Sequence, residues 1–240
     1  HALSHIPREG ARDYYEALVF LRMLAYFLRL GRCPHLPLGR FDVYMKPYFD
    51  RSIANGESEE ELLELTELFF IAMNFDTDLY FGIQKGDNGQ SLVLGGVDRK
   101  GNDVFSSLSE ICLAASEELA LIDPKINLRV NKTTPLSIYE RGTRLTKQGL
   151  GFPQYTNDDI AIPYLISVGY SEEDARDYAL AACWELISSG KGADVVNIDV
   201  LSFPAVVDRA IRDALLSADT FDDLLSRVDG EIHLECARIA

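Results

Sequence analysis

The chain has 240 residues, 47% hydrophobic and 25% charged, a globular composition that excludes the disordered and collagen-like classes. Thirty-eight acidic against 23 basic residues leave a net charge of -15, which repels phosphate backbones and anionic membrane surfaces and argues against a nucleic-acid partner. No apolar run reaches the roughly 18 residues of a membrane span, and the most apolar stretch, residues 18–30, is broken by Arg22 and Arg29.

Cys33, Cys112, Cys183 and Cys236 form no C-x-x-C pair and follow no secretory leader, so a reducing cytoplasm is the expected location. The chain opens without an initiator methionine and closes inside a helical pattern. It is therefore expected to be a piece of a longer protein, and residues 1–240 to form a single partial domain.

In chain order, Tyr14, Leu18, Leu21, Ala25 and Leu28 make the stripe of an amphipathic helix that Gly31 stops. A proline-rich segment, residues 31–41, leads into a helix expected over 42–54 and ended by Asn55-Gly56. Ser58 and Glu61 then form a capping-box signature, and the glutamates that follow read as the solvated face of the next helix. Residues 85–104 hold five glycines around the short apolar run at Leu92–Leu94, and without a G-K-[ST] ending they predict a loop or hairpin rather than a phosphate cradle. A helix over 105–121, an alternating strand over 126–131, a helix over 135–148 and an extended segment over 152–158 follow. Helices around Pro163 and after the Ser171 cap, and two more in residues 203–240, complete the pattern. Strands separated by helices argue for a helix-rich α/β fold.

His1, His5, His35 and His233 are scattered and no H-E-x-x-H occurs, so no metal site is expected. The G-x-S-x-G elbow of a serine hydrolase is also missing. The segment that stands apart is 178–197, where Cys183, the sole tryptophan, Trp184, and Glu185 sit among small and apolar residues ahead of a Ser-Ser-Gly-Lys-Gly run. On periodicity alone the simpler reading is one helix from the Ser171 cap to Ile187, with Cys183 as a small core residue. In a helix, however, residues two apart point to different sides, whereas in an extended segment they share one. Joint chemistry by Cys183 and Glu185 thus requires the helix to end before about Leu180 and the C-W-E segment to be extended.

Five blocks in consistent order, residues 38–50 (LGRFDVYMKPYFD), 92–103 (LVLGGVDRKGND), 126–135 (INLRVNKTTP), 151–185 (GFPQYTND to CWE) and 201–208 (LSFPAVVD), resemble the glycyl radical enzymes, specifically their pyruvate formate-lyase-like branch. The resemblance implies part of a ten-stranded α/β barrel, with the active cysteine on a loop inside it. It implies that Cys183 is that cysteine, taking a hydrogen atom from substrate as a thiyl radical. Glu185 matches the carboxylate of the C-x-E motif, the base of family members that eliminate water, an amine or another group. His35 and Asn197 align weakly with substrate-contacting positions.

Hydrogen-atom transfer uses a neutral thiol, and Ala181, Ala182 and Trp184 are expected to supply dry surroundings for it. The expected activity is a lyase or dehydratase of an anaerobic cytoplasm. Formate acetyltransferase chemistry is the alternative within the family, although members doing it carry two adjacent cysteines where this chain has Cys183-Trp184. An alternative of another class is a catalytically silent piece that associates with a complete partner. The eliminating members commonly read G-C-V-E-P where this chain reads A-C-W-E-L, a change that reshapes the pocket. The family's radical-bearing glycine motif is not found here. The resemblance implies no cofactor in this chain, and a radical installed on the glycine loop by an activating enzyme that uses S-adenosylmethionine and an iron–sulfur cluster. Expected partners are that activating enzyme, a small-molecule substrate and, as a candidate, a second copy of the chain.

Overall fold

The computed structural model describes residues 2–30, 36–75, 90–181, 184–191, 201–215, 217 and 220–239. They fall into two compact units, His1–Asp194 and Val195–Ala240, each considered by itself.

The first unit begins with helix α1 (Tyr14–Leu30), whose Tyr14, Leu18 and Ala25 are buried as the stripe predicts, with Leu21 partly buried, whereas Leu28 near its end is exposed. The helix expected over 42–54 is instead two, α2 (Phe41–Tyr44) and α3 (Lys46–Ala54), broken at Met45. Pro47 explains the break, because it has no N–H to give the carbonyl one turn back. Helix α4 (Glu59–Asn74) opens on the capping box: the Ser58 hydroxyl oxygen accepts from the Glu61 N–H at 3.2 Å and the Glu61 carboxylate accepts from the Ser58 N–H at 2.8 Å.

Strand β1 (Ser91–Gly95) corrects the loop-or-hairpin expectation in part. It is buried throughout and pairs in parallel with β2 (Lys125–Val130), so its short apolar run is that of a strand covered on both faces. A hairpin-like turn does follow, closed by the bridge between Val97 and Asp103. Helix α5 (Ser107–Leu119) connects β1 to β2, and α6 (Leu136–Thr146) connects β2 to β3 (Gln154–Asn157). The three strands form one parallel sheet in the order β1-β2-β3. Helices α7 (Asp158–Ser167) and α8 (Glu172–Arg176) come next.

The continuous helix that periodicity favours beyond Ser171 does not form. It ends at Arg176, and β4 (Tyr178–Ala181) and β5 (Glu185–Ser188) pair antiparallel.

One face of the sheet packs Leu92, Leu94, Ile126, Leu128 and Val130 on Phe41, Phe49, Leu62, Phe69 and Phe70. Each such side chain contributes about 1.5–3 kcal/mol on burial. The other face carries Val93, Asn127 and Arg129, and Val93 joins Ala161, Leu165, Ala175, Tyr178, Ala179 and Leu180 in a second, smaller core. Asp42 ties the two ends of β1's surroundings together, accepting from the Gly95 N–H at 2.6 Å and the Ser109 hydroxyl at 2.7 Å.

The second unit pairs α9 (Phe203–Ala214) with α10 (Phe221–Ile239). Val206, Ala210 and Ala214 bury one stripe of α9, and Arg209 bridges to Glu231 at 3.1 Å and Glu235 at 3.2 Å.

Candidate active site

The β4–β5 hairpin is built from an unlikely segment, because Tyr-Ala-Leu-Ala has no strong strand preference. Its extended form is fixed by what meets its first residues. The register is tight: Tyr178 pairs with Ser188 and Ala181 with Glu185, leaving Ala182, Cys183 and Trp184 to connect the strands.

Glu185 therefore stands at the first position of β5, and its carboxylate accepts from the Trp184 N–H at 3.0 Å. Ala181 is buried as expected. Trp184 differs from its expected sealing role: it is 55% exposed. Cys183, His35 and Asn197 lie outside the described residues, so of the four predicted site residues Glu185 alone is placed.

At the root of the hairpin is a buried ionic cluster that sequence reasoning missed. Arg129, at the C-terminal end of β2, holds Asp158 in a fork, Nε to Oδ1 at 2.8 Å and Nη2 to Oδ2 at 3.0 Å. Its remaining donors go to backbone carbonyls, Nη1 to Tyr178 at 2.9 Å and Nη2 to Arg176 at 2.9 Å. The guanidinium lies over the Tyr178 ring, 3.9 Å from its centroid, and the Tyr178 hydroxyl donates to Asp158 at 2.7 Å. Burial pushes the Tyr178 phenol well above its ordinary pKa, which keeps it a donor.

Arg40 approaches the same root, donating to Val97 O at 2.7 Å, Gly95 O at 3.2 Å and Arg176 O at 3.3 Å, with Asp177 at 3.4 Å. Burial, and secondarily the charge of Arg129, lowers its pKa to about 10, so it remains a cation at neutral pH. Arg99 reinforces the outside through Glu173, Asp174 and Asp177 at 3.0–3.1 Å. The signal for this cluster was available: Arg129 is a charge in an alternating apolar strand, and Arg40 and Asp158 lie in two of the resembling blocks.

Beside the hairpin is a cavity of about 430 Å3, lined among others by Leu38, Arg40, Tyr44, Asp177, Ala181 and Ile187. Its size suits a small molecule. Glu185 is not part of its wall. No group of three or more metal-ligating side chains occurs among the described residues, and none of their helices is long and apolar enough to cross a membrane.

A family description, pyruvate formate lyase-like, matches residues 1–217. The chain belongs to that family of glycyl radical enzymes. Among curated members, it is 27% identical over 241 residues to the (2S)-3-sulfopropanediol dehydratase of Klebsiella oxytoca, a match covering 91% of this chain and 29% of that protein. It is 30% identical over 189 residues to the isethionate sulfite-lyase of Oleidesulfovibrio alaskensis, covering 75% and 23% respectively. The glycerol-bound B12-independent glycerol dehydratase of Clostridium butyricum superposes with a TM-score of 0.74 at 26% identity, over 92% of this chain and 30% of that one. The chain thus spans less than a third of these pyruvate formate lyase-like relatives. The similarity agrees with the helix-rich α/β architecture.

Proposed function

We propose that this chain is the cysteine-bearing part of a glycyl radical lyase or dehydratase, in which Cys183 carries a hydrogen atom and Glu185 a proton. The observation that supports this most is the end of α8 at Arg176 followed by the β4–β5 hairpin. It meets the condition that the helix end before about Leu180, in a chain whose relatives include a dehydratase and a sulfite-lyase.

In the proposed reaction a Cys183 thiyl takes a hydrogen atom from a carbon bearing a hydroxyl, forming S–H and a carbon radical. The Glu185 carboxylate takes the hydroxyl proton, and the developing oxyanion expels the leaving group on the adjacent carbon with its bonding pair. The resulting carbonyl-stabilised radical recovers the hydrogen atom from Cys183, so no net oxidant is needed. The initial radical is introduced by the S-adenosylmethionine and iron–sulfur activating enzyme. The ten-stranded barrel of the family would enclose the site and exclude oxygen and water, in keeping with an anaerobic cytoplasm. His35 and Asn197 would contact the substrate, and a second copy of the chain is a candidate partner.

Acyl transfer is disfavoured by Trp184, which stands where a second cysteine would be required. Glu185→Gln tests the assignment in the full-length protein activated under anoxia. Elimination from a substrate that the wild type turns over is expected to fall by about 100-fold or more, while hydrogen exchange between Cys183 and that substrate persists. Unchanged elimination would remove Glu185 from the role of base.

A further inference from the structure

We infer that Arg129, Asp158 and Tyr178 are positioning residues that fix the hairpin for hydrogen-atom transfer, an inference resting on Cys183 being the hydrogen-atom carrier. Arg129 is fully buried and Asp158 is 3% exposed, so the pair has given up water on both sides. Replacing such a pair with packed apolar residues is often neutral or stabilising, so its presence is weak support for a stability role. What an apolar core would lack is direction.

Arg129 forks Asp158 from one side and spends its spare N–H groups on the carbonyls of Arg176 and Tyr178, the two residues that flank the switch from α8 to β4. The carbonyl of Arg176 would otherwise end a helix without a partner. Arg40 reaches that same carbonyl from the opposite segment. Tyr178 closes the cluster by giving its hydroxyl to Asp158 while its ring lies against the guanidinium. The first residue of the hairpin is thereby held through its carbonyl, its ring and its hydroxyl at once.

The cluster also dictates the sheet beside it. A Cβ on Gly96 would meet Arg129 Nε at 2.6 Å and Asp158 Oδ2 at 2.7 Å, and the Val97 N–H donates to Asp158 at 3.1 Å. Cys183 follows Tyr178 by five positions, so a tilt at the root is carried along the short strand β4 toward it. Hydrogen-atom transfer requires near-contact, and a displacement of about 1 Å can cost on the order of 100-fold in rate.

The test uses the activated full-length protein in deuterated water under anoxia and needs no substrate. Reversible hydrogen transfer between the cysteine S–D and the radical-bearing glycine replaces that glycine's α-hydrogen with deuterium, which collapses the doublet of its electron paramagnetic resonance signal. Tyr178→Phe removes one hydroxyl and keeps the ring. It is expected to give the wild-type radical yield and melting temperature within about 3 °C, with the collapse slowed on the order of tenfold. Arg129→Lys, which keeps the charge but loses the fork, is expected to slow it further. Where Arg129→Lys does not fold, Tyr178→Phe decides alone. Cys183→Ala, run in parallel, abolishes the collapse if Cys183 is the carrier, and wild-type exchange in it would overturn that reading itself. If Cys183→Ala abolishes exchange while Tyr178→Phe exchanges at the wild-type rate or yields no radical, the positioning inference falls and the carrier assignment stands.

Discussion

Asp42 is fully buried with two donors on one oxygen, and burial raises its carboxyl to about 6 against the lowering pull of Gly95 and Ser109. Its folded pKa therefore exceeds that of the unfolded chain, and the native state keeps a proton that the unfolded state releases. The corresponding stability is fully present below about pH 4 and is lost as pH rises through about 6. In urea titrations, the wild type is expected to lose about 1 kcal/mol relative to Asp42→Asn between about pH 5 and pH 7. A difference independent of pH would contradict the shift. Arg129, buried on β2, spends its donors on the Asp158 carboxylate and on the carbonyls of Arg176 and Tyr178. Residue by residue, the sequence marked such positions only as charges out of pattern, because the identity of a partner 29 or more positions away is set by strand order and not by local spacing.

Helix ends and strands differ in how openly the sequence announces them. The Ser58–Glu61 box is local, so it was legible and forms as read. Ser58→Ala is expected to cost about 1 kcal/mol in thermal or urea unfolding, and a loss within about 0.2 kcal/mol would show that the cap contributes little. The break at Met45 was equally local, since Pro47 lies inside the stretch that reads as one helix over 42–54. β1 was harder, because a strand buried on both faces shows no alternation, and its glycines read as a loop. The β4–β5 hairpin was the least legible from periodicity: Ala and Leu favour helix, and the donors from Arg129 and Arg40 that meet the Arg176 carbonyl where α8 ends are brought in by β2 and the segment before α2. Family resemblance supplied what local pattern did not.

Within the first unit, the described elements form a parallel sheet with the larger, helix-built core on one face and a smaller core with the hairpin on the other, in a chain of the pyruvate formate lyase-like family. The helix-rich α/β class was readable from alternation of strands and helices, whereas Glu185 is the part of the predicted site that the described residues contain. On the proposed lyase or dehydratase reading, the first panel to assay is (2S)-3-sulfopropanediol, isethionate and glycerol, the compounds named with the relatives above. The most direct measurement activates full-length wild type and Cys183→Ala together without oxygen, quantifies the glycyl radical spectroscopically, and follows product from that panel in the same samples. The account predicts equal radical in both and product from the wild type alone; product formation by Cys183→Ala at the wild-type rate would contradict it.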